Sequence, residues 1–96
     1  MTLTSDEINT AIQDLDGWQI VDGYLSKEFT FKGFIQAFGF MTQMAIHAQV
    51  MKHHPEWSNV YNKVKINLIT HDEGGITELD IRFAEKAERI YMDMGL

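Results

Sequence analysis

Residues 57–70 read WSNVYNKVKINLIT, and this segment shows most clearly how the chain folds. Val64, Ile66 and Leu68 are apolar, and the two residues between them are polar. An alternation of period two is typical of a β-strand with one buried face and one wetter face. We therefore predict a hairpin, with strands at residues 57–61 and 64–70.

Helical patterns lie on both sides of this hairpin. Thr77 is predicted to cap a last helix whose apolar residues recur at helical spacing. Upstream, the segment from Phe34 to about Lys52 carries an apolar seam with steps of four and three residues. The seam that we expect to face the core consists of Phe34, Phe38, Met41, Ala45 and Ala48.

A second apolar stripe runs beside that seam, and it contains Phe40, Met44 and Met51. An apolar arc this wide exceeds what one face of a sheet requires. Two interpretations stay open: the helix is deeply buried, or the second stripe packs against another subunit, since extensive apolar surface often marks an interface.

The N-terminal third predicts another helix and another hairpin. Thr4 and Glu7 have the spacing of a capping box, and we expect the helix that they begin to end at Gly17. Strands are predicted within residues 18–31, joined by Asp22-Gly23, a pair typical of a type I′ turn. The fold class is thus α+β: a four-stranded antiparallel sheet with helices on one face, in the order α-β-β-α-β-β-α. All of residues 1–96 are expected to form one domain.

The composition excludes several kinds of function. The 96 residues include 14 acidic and 8 basic side chains, and the net charge is -6. This charge argues against direct binding of nucleic acid or an anionic membrane. The chain has no cysteine, which excludes disulfides, thiolate catalysis and cysteine-ligated zinc. The N-terminus lacks the pattern of a signal peptide, so we expect a soluble, cytoplasmic protein.

Histidines are the strongest candidates for chemistry. His53 and His54 precede Pro55, and His71 follows the strand at 64–70. If the strand ends beside the turn at Pro55, three imidazoles lie together at the entrance of one pocket. This arrangement suits general acid–base catalysis. Solvated loop histidines and a three-histidine metal site remain open alternatives, although the familiar helical pair at i and i+4 is absent.

Other residues have both a structural and a functional interpretation. Asp80, three residues after Thr77, could interact with the start of the last helix or orient a histidine. Trp57 could stack on a flat ligand, or it could belong to the core or to an interface. His47, within the long helix, is expected to be a surface or interface residue.

Two segments carry a family resemblance. KHHPEWSNVYNKVKINLITHDEGGITELDIRFA (residues 52–84) and FKGFIQAFGFMTQMAIHAQ (residues 31–49) strongly resemble the pterin-4a-carbinolamine dehydratases. The specific motif is His-His-Pro, followed by Tyr61, His71 and Asp80 at fixed spacing.

This resemblance implies an activity and an assembly. The implied substrate is a tetrahydropterin with a hydroxyl at carbon 4a, which loses water to give quinonoid dihydropterin in tetrahydropterin recycling. The resemblance also implies that no metal or organic cofactor is used, and that the sheet and the long helix build homodimers or homotetramers. Some members of the family also act as dimerisation cofactors of a homeodomain transcription factor. A protein-binding role is therefore the alternative, and it would use Phe40, Met44 and Met51.

The resemblance also assigns roles to residues. The implied catalytic residues are His53, His54 and His71, with His54 and His71 as the acid–base pair. The residues implied to bind substrate or support the histidines are Lys52, Ile69, Thr70, Asp72 and Asp80, and the flat ring of Trp57 makes it a further candidate.

Two positions depart from the family pattern. Gln49 stands where an ionisable residue is usual, and an amide forms hydrogen bonds without supplying charge. Lys52 adds a positive charge beside the histidines.

Overall fold

Two β-hairpins supply the strands of the sheet in a computed structural model that describes residues 1–95. The first hairpin joins β1 (Gln19–Val21) to β2 (Tyr24–Thr30). Asp22 and Gly23 connect them with φ angles of 52° and 83°, the positive values that a type I′ turn requires. The second hairpin joins β3 (Glu56–Val60) to β4 (Lys63–Leu68).

The two hairpins pair through β2 and β4, which gives the strand order β1-β2-β4-β3 with antiparallel neighbours throughout. Leu25 lies opposite Leu68, and Phe29 lies opposite Val64, so apolar side chains from the central strands share one face. All four of these side chains are buried. On the other face Ser26 donates a hydrogen bond to Asn67 over 2.7 Å. The helices therefore cover one face and leave the other polar, and the predicted α+β fold is confirmed.

Three α-helices complete the order: α1 (Ser5–Ala11), α2 (Phe34–Met51) and α3 (Glu78–Asp93). Thr4 and Glu7 form the predicted capping box of α1. The predicted end of this helix at Gly17 is wrong, because the Leu15 N–H bonds to the Ile12 carbonyl, only three residues back, and closes a tight turn. That turn brings Leu15 and Trp18 into the core.

The prediction for the two stripes of α2 is also wrong. Phe40 and Met44, assigned to the second stripe, have no exposed surface and pack in the core. Phe34 and Phe38, assigned to the core seam, are 50% and 56% exposed. Both stripes are apolar, so the period alone could not show which one meets the sheet. The surface that could meet another subunit is therefore the one that carries Phe38. Among residues 1–95, no helix is long and apolar enough to cross a membrane.

Phe40→Ala is expected to lower the free energy of unfolding by about 3–5 kcal/mol, because removing a fully buried aromatic ring leaves a cavity. The ring centroid of Phe40 lies 4.9 Å from that of Phe29 and 5.1 Å from that of Phe31. Phe38→Ala deletes the same atoms from the exposed face, and a change of about 1 kcal/mol or less is expected. Urea denaturation at one low protein concentration measures both values. A larger loss for Phe38→Ala would contradict this orientation of α2.

Candidate active site

The three predicted histidines meet where α2 and β4 end at the same edge of the molecule. α2 ends at Met51, and His53 and His54 follow it. β4 ends at Leu68, and a short 3₁₀ turn begins at His71. A cavity of about 240 Å³ lies between the two segments, close to the small end of ligand pockets, which commonly measure about 300–1,000 Å³. Its lining residues are Lys52, His53, His54, Ile69, Thr70, His71, Asp72 and Leu79.

The backbone at Lys52 explains how two consecutive histidines line one cavity. Lys52 caps the C-terminus of α2 in the left-handed conformation, with φ 56° and ψ 39°. The N–H of His53 then bonds to the carbonyl of Ala48 over 3.0 Å, which closes the end of the helix. In an extended chain His53 and His54 would point in opposite directions, and this reversal brings both to the cavity.

His53 is held by a buried carboxylate. Its Nε2 lies 2.5 Å from Oδ1 of Asp80, and the side chain of Asp80 has no exposed surface. The other carboxylate oxygen of Asp80 accepts the hydroxyl of Thr70 and the backbone N–H of Thr77, each over 2.9 Å. Asp80 is the third residue of α3, so it completes the capping box of that helix and also binds the ring. Asp80 therefore interacts with the start of the last helix and contacts a histidine at the same time.

His54 and His71 lie nearer the solvent, and each contacts a different acceptor. Nε2 of His54 lies 3.0 Å from Oε1 of Gln49, one turn back in α2. Nε2 of His71 lies 2.8 Å from Oε2 of Glu56, at the start of β3. Because an amide oxygen and a carboxylate oxygen accept hydrogen bonds, both rings carry a proton on Nε2.

The same argument applies to His53, so all three rings carry the proton on Nε2 in their neutral forms. Within Met1–Gly95 no side-chain hydrogen bond reaches Nδ1 of any of these rings. Each Nδ1 is thus an acceptor that can receive a proton, and the ring can return that proton when it is charged. Three proton-transfer groups around one cavity can serve acid–base chemistry.

Comparisons with known proteins identify the family of the chain. The sequence pattern of the family described as "Pterin 4 alpha carbinolamine dehydratase" matches residues 1–90. The chain belongs to the pterin-4a-carbinolamine dehydratase family. Relatives from Brucella ovis and Brucella canis, each named after this dehydratase, are 52% identical over 90 residues, which cover 92% of this chain and 93% of theirs. A crystal structure of a "transcriptional coactivator/pterin dehydratase" from Brucella melitensis is similar, with a TM-score of 0.91 and 50% identity. That similarity covers 94% of this chain and 98% of the Brucella melitensis chain.

The structure brings most of the residues implied by the dehydratase resemblance to the cavity, but not all. Lys52, Ile69, Thr70 and Asp72 line it, and Asp80 lies beneath it. Trp57 lies elsewhere: it contributes to a groove along the exposed side of α2. The reason is the register of β3: Trp57 pairs with the buried Ile66, so its side chain lies on the face of the sheet that the helices cover. His47 does not line the cavity either.

Two residues near the cavity were missed in the sequence. Leu79 lines it from the first turn of α3, and its place two residues after the cap Thr77 was the available signal. Glu56 contacts His71, and the pairing of Glu56 with Asn67 places it beside the end of β4. Glu56 also raises the pKa of Tyr24, chiefly because its negative charge opposes ionisation of the phenol, and burial and a hydrogen bond add to this.

A metal site was the other use that three histidines near one cavity left open. Across residues 1–95, no group of three or more histidine, aspartate or glutamate side chains is arranged to hold a metal ion. The Nε2 atoms of the three histidines are instead occupied by three separate oxygen acceptors.

Asp80→Asn is expected to lower the free energy of unfolding by about 1–3 kcal/mol, because the amide nitrogen then faces a donor in a buried place. Asp72→Asn is the matched control: its side chain is exposed, and a change within about 0.5 kcal/mol is expected. Urea titration of the three proteins measures the difference. Equal stability of Asp80→Asn and wild type would contradict the network around Asp80.

Proposed function

We propose that this chain catalyses the loss of water from a 4a-hydroxytetrahydropterin to give quinonoid dihydropterin, as a step in tetrahydropterin recycling. The observation that carries the proposal is the set of three histidine rings around one cavity, each with Nε2 engaged and Nδ1 open. The family of the chain and the names of its Brucella relatives support the same substrate class.

The reaction requires two proton transfers and no change in oxidation state. The bond from carbon 4a to the hydroxyl oxygen breaks, and that oxygen must receive a proton to leave as water. A ring nitrogen of the pterin gives up its proton, and its electron pair forms the new double bond to carbon 4a. Positioned acid–base groups typically contribute about 10²–10⁴-fold to such a step, and imidazoles supply both groups near neutral pH.

The exposure of the three rings supports different roles for them. His54 and His71 are exposed and their Nδ1 atoms can approach a substrate, so we assign them as the acid–base pair. The side chain of His53 is only 8% exposed and is fixed by Asp80, so it is better suited to bind the substrate or act as a second acid. Lys52, Ile69, Thr70 and Asp72 line the remaining wall, where they would contact the pterin.

His54→Ala and His71→Ala are each expected to reduce the rate of dehydration by about 10²-fold or more, because each removes one proton-transfer group. The assay follows a freshly generated 4a-hydroxytetrahydropterin as it loses water, with buffer alone as the reference. His47→Ala is the matched control, since this fourth histidine does not line the cavity, and it should keep the wild-type rate. If wild-type protein gives no acceleration above buffer, the proposed activity is wrong.

We also propose that the chain forms homodimers or homotetramers through the exposed side of α2 and the sheet. Large apolar residues on that side are exposed: Phe34, Ile35, Phe38, Ile46 and Val50. Phe38, Ile46 and Trp57 line a groove there. The exposed residues together form an apolar surface larger than single scattered residues would give. β3 is an edge strand of the sheet, so its unpaired backbone groups offer a second contact.

Phe38→Asp is expected to reduce the number of subunits in the assembly, because it places a charge in a desolvated apolar contact. Size-exclusion chromatography with light scattering measures the mass at several protein concentrations. Met92→Asp is the matched control, since this exposed apolar residue lies on α3, and it should leave the mass unchanged. A wild-type chain that stays monomeric at the highest concentration would contradict this assembly.

A protein-binding role is the second candidate function. It is favoured by the same exposed side of α2 and by the name of the Brucella melitensis structure, a transcriptional coactivator/pterin dehydratase. Phe40 and Met44 cannot supply that surface, because both are buried in the core. A closed homotetramer that does not exchange subunits would count against this role.

A further inference from the structure

Glu56 lies between two side chains that come from other parts of the sheet. Its Oε2 accepts a hydrogen bond from Nε2 of His71 over 2.8 Å, and its Oε1 accepts one from the hydroxyl of Tyr24 over 3.4 Å. Glu56 does not line the cavity, whereas His71 does. Glu56 therefore contacts the cavity only through His71.

The register of the sheet explains this arrangement. β4 lies between β2 and β3, and His71 follows its end after two residues. Leu25 pairs with Leu68, so Tyr24 lies beside that end on one flank. Glu56 pairs with Asn67 and lies on the other flank. The first residues of two strands thus meet on the polar face of the sheet, next to the turn that carries His71.

The two oxygens of Glu56 have separate partners. Tyr24 keeps its proton at neutral pH, as an unperturbed phenol does, and the charge of Glu56 raises its pKa further. Tyr24 is therefore a donor to Oε1 in a long contact of 3.4 Å, while Oε2 faces the imidazole of His71. A carboxylate that accepts from Nε2 fixes the neutral tautomer and leaves Nδ1 as the acceptor.

We propose that Glu56 is a positioning residue for His71: it fixes the ring with the proton on Nε2, so that Nδ1 faces the cavity and exchanges a proton with the substrate. The catalytic part of this inference rests on the proposed dehydratase function. When Nδ1 takes up a proton, the carboxylate also stabilises the charge on the ring. Asp80 holds His53 through the same type of contact, from inside the core.

Kinetics of three variants test the proposal. Glu56→Ala should lower kcat about 5-fold and leave KM unchanged, a modest loss because both partners are well exposed. Glu56→Gln keeps an acceptor oxygen and should restore part of kcat. Glu28→Gln is the matched control: this exposed glutamate lies on the same face of the sheet, two residues along β2 from Ser26, and it should keep the wild-type kcat.

A double-mutant cycle separates this role from a general structural one. If Glu56 acts through His71, Glu56→Ala adds no further loss in the His71→Ala background, because coupled residues are not additive. If Glu56→Ala reduces kcat by the same factor in both backgrounds, the proposal is overturned. A rise in KM with unchanged kcat would also overturn it, since Glu56 would then serve binding.

Nuclear magnetic resonance tests the contact without using activity. In wild-type protein the ¹⁵N resonances of His71 should show a protonated Nε2 and an unprotonated Nδ1 at a pH where the ring is neutral. In Glu56→Ala the two resonances should move toward each other as the tautomers mix, while those of His53 stay unchanged. Unchanged His71 resonances in Glu56→Ala would overturn the proposal. A wild-type protein that is inactive but shows these shifts would refute the dehydratase function and support the contact.

Discussion

The buried carboxylate of Asp80 joins the three segments on which the site depends. Its two oxygens accept hydrogen bonds from His53 after α2, Thr70 after β4 and Thr77 before α3. Burying a carboxylate away from water costs free energy unless its oxygens accept hydrogen bonds, and here three donors provide them. If Asp80 were removed, the start of α3 would lose one half of its capping box and His53 would lose its partner. The stability of this corner and the geometry of the cavity therefore depend on the same group.

The three histidines are held with different strength, and this difference follows from burial. His53 and Asp80 lie in the interior, where a hydrogen bond is strong and the ring has little freedom. His54 and His71 are exposed, so water competes with Gln49 and Glu56 for their Nε2 atoms. An exposed ring is weakly held but can move toward a substrate. The site thus combines one imidazole that is held in the interior with two at the surface, whose contacts with Gln49 and Glu56 orient the rings in competition with water.

Local sequence signals predicted the elements of the fold well, because they depend on neighbours in the chain. The alternation at residues 64–68 and the Asp22-Gly23 turn both describe backbone geometry that a few residues determine. The orientation of α2 was not predictable in this way. Phe38 and Phe40 are equally apolar, and only the packing of the whole chain decides that Phe40 meets the core. The site likewise has features that the sequence predicts and features that it does not. The histidines could be recognised in the sequence, whereas the contact of Glu56 with His71 depends on strand register.

The two apolar sides of α2 connect the site to the proposed assembly. One side, with Phe40, packs against the sheet, and the other, with Phe38, is exposed. The C-terminus of the same helix carries Lys52, whose left-handed conformation directs His53 and His54 into the cavity. A second copy packed on the exposed side would therefore hold α2 from both sides and restrict the motion of its last turn. Because a misplaced catalytic group lowers the rate steeply, covering that side would favour catalysis without adding any residue to the cavity.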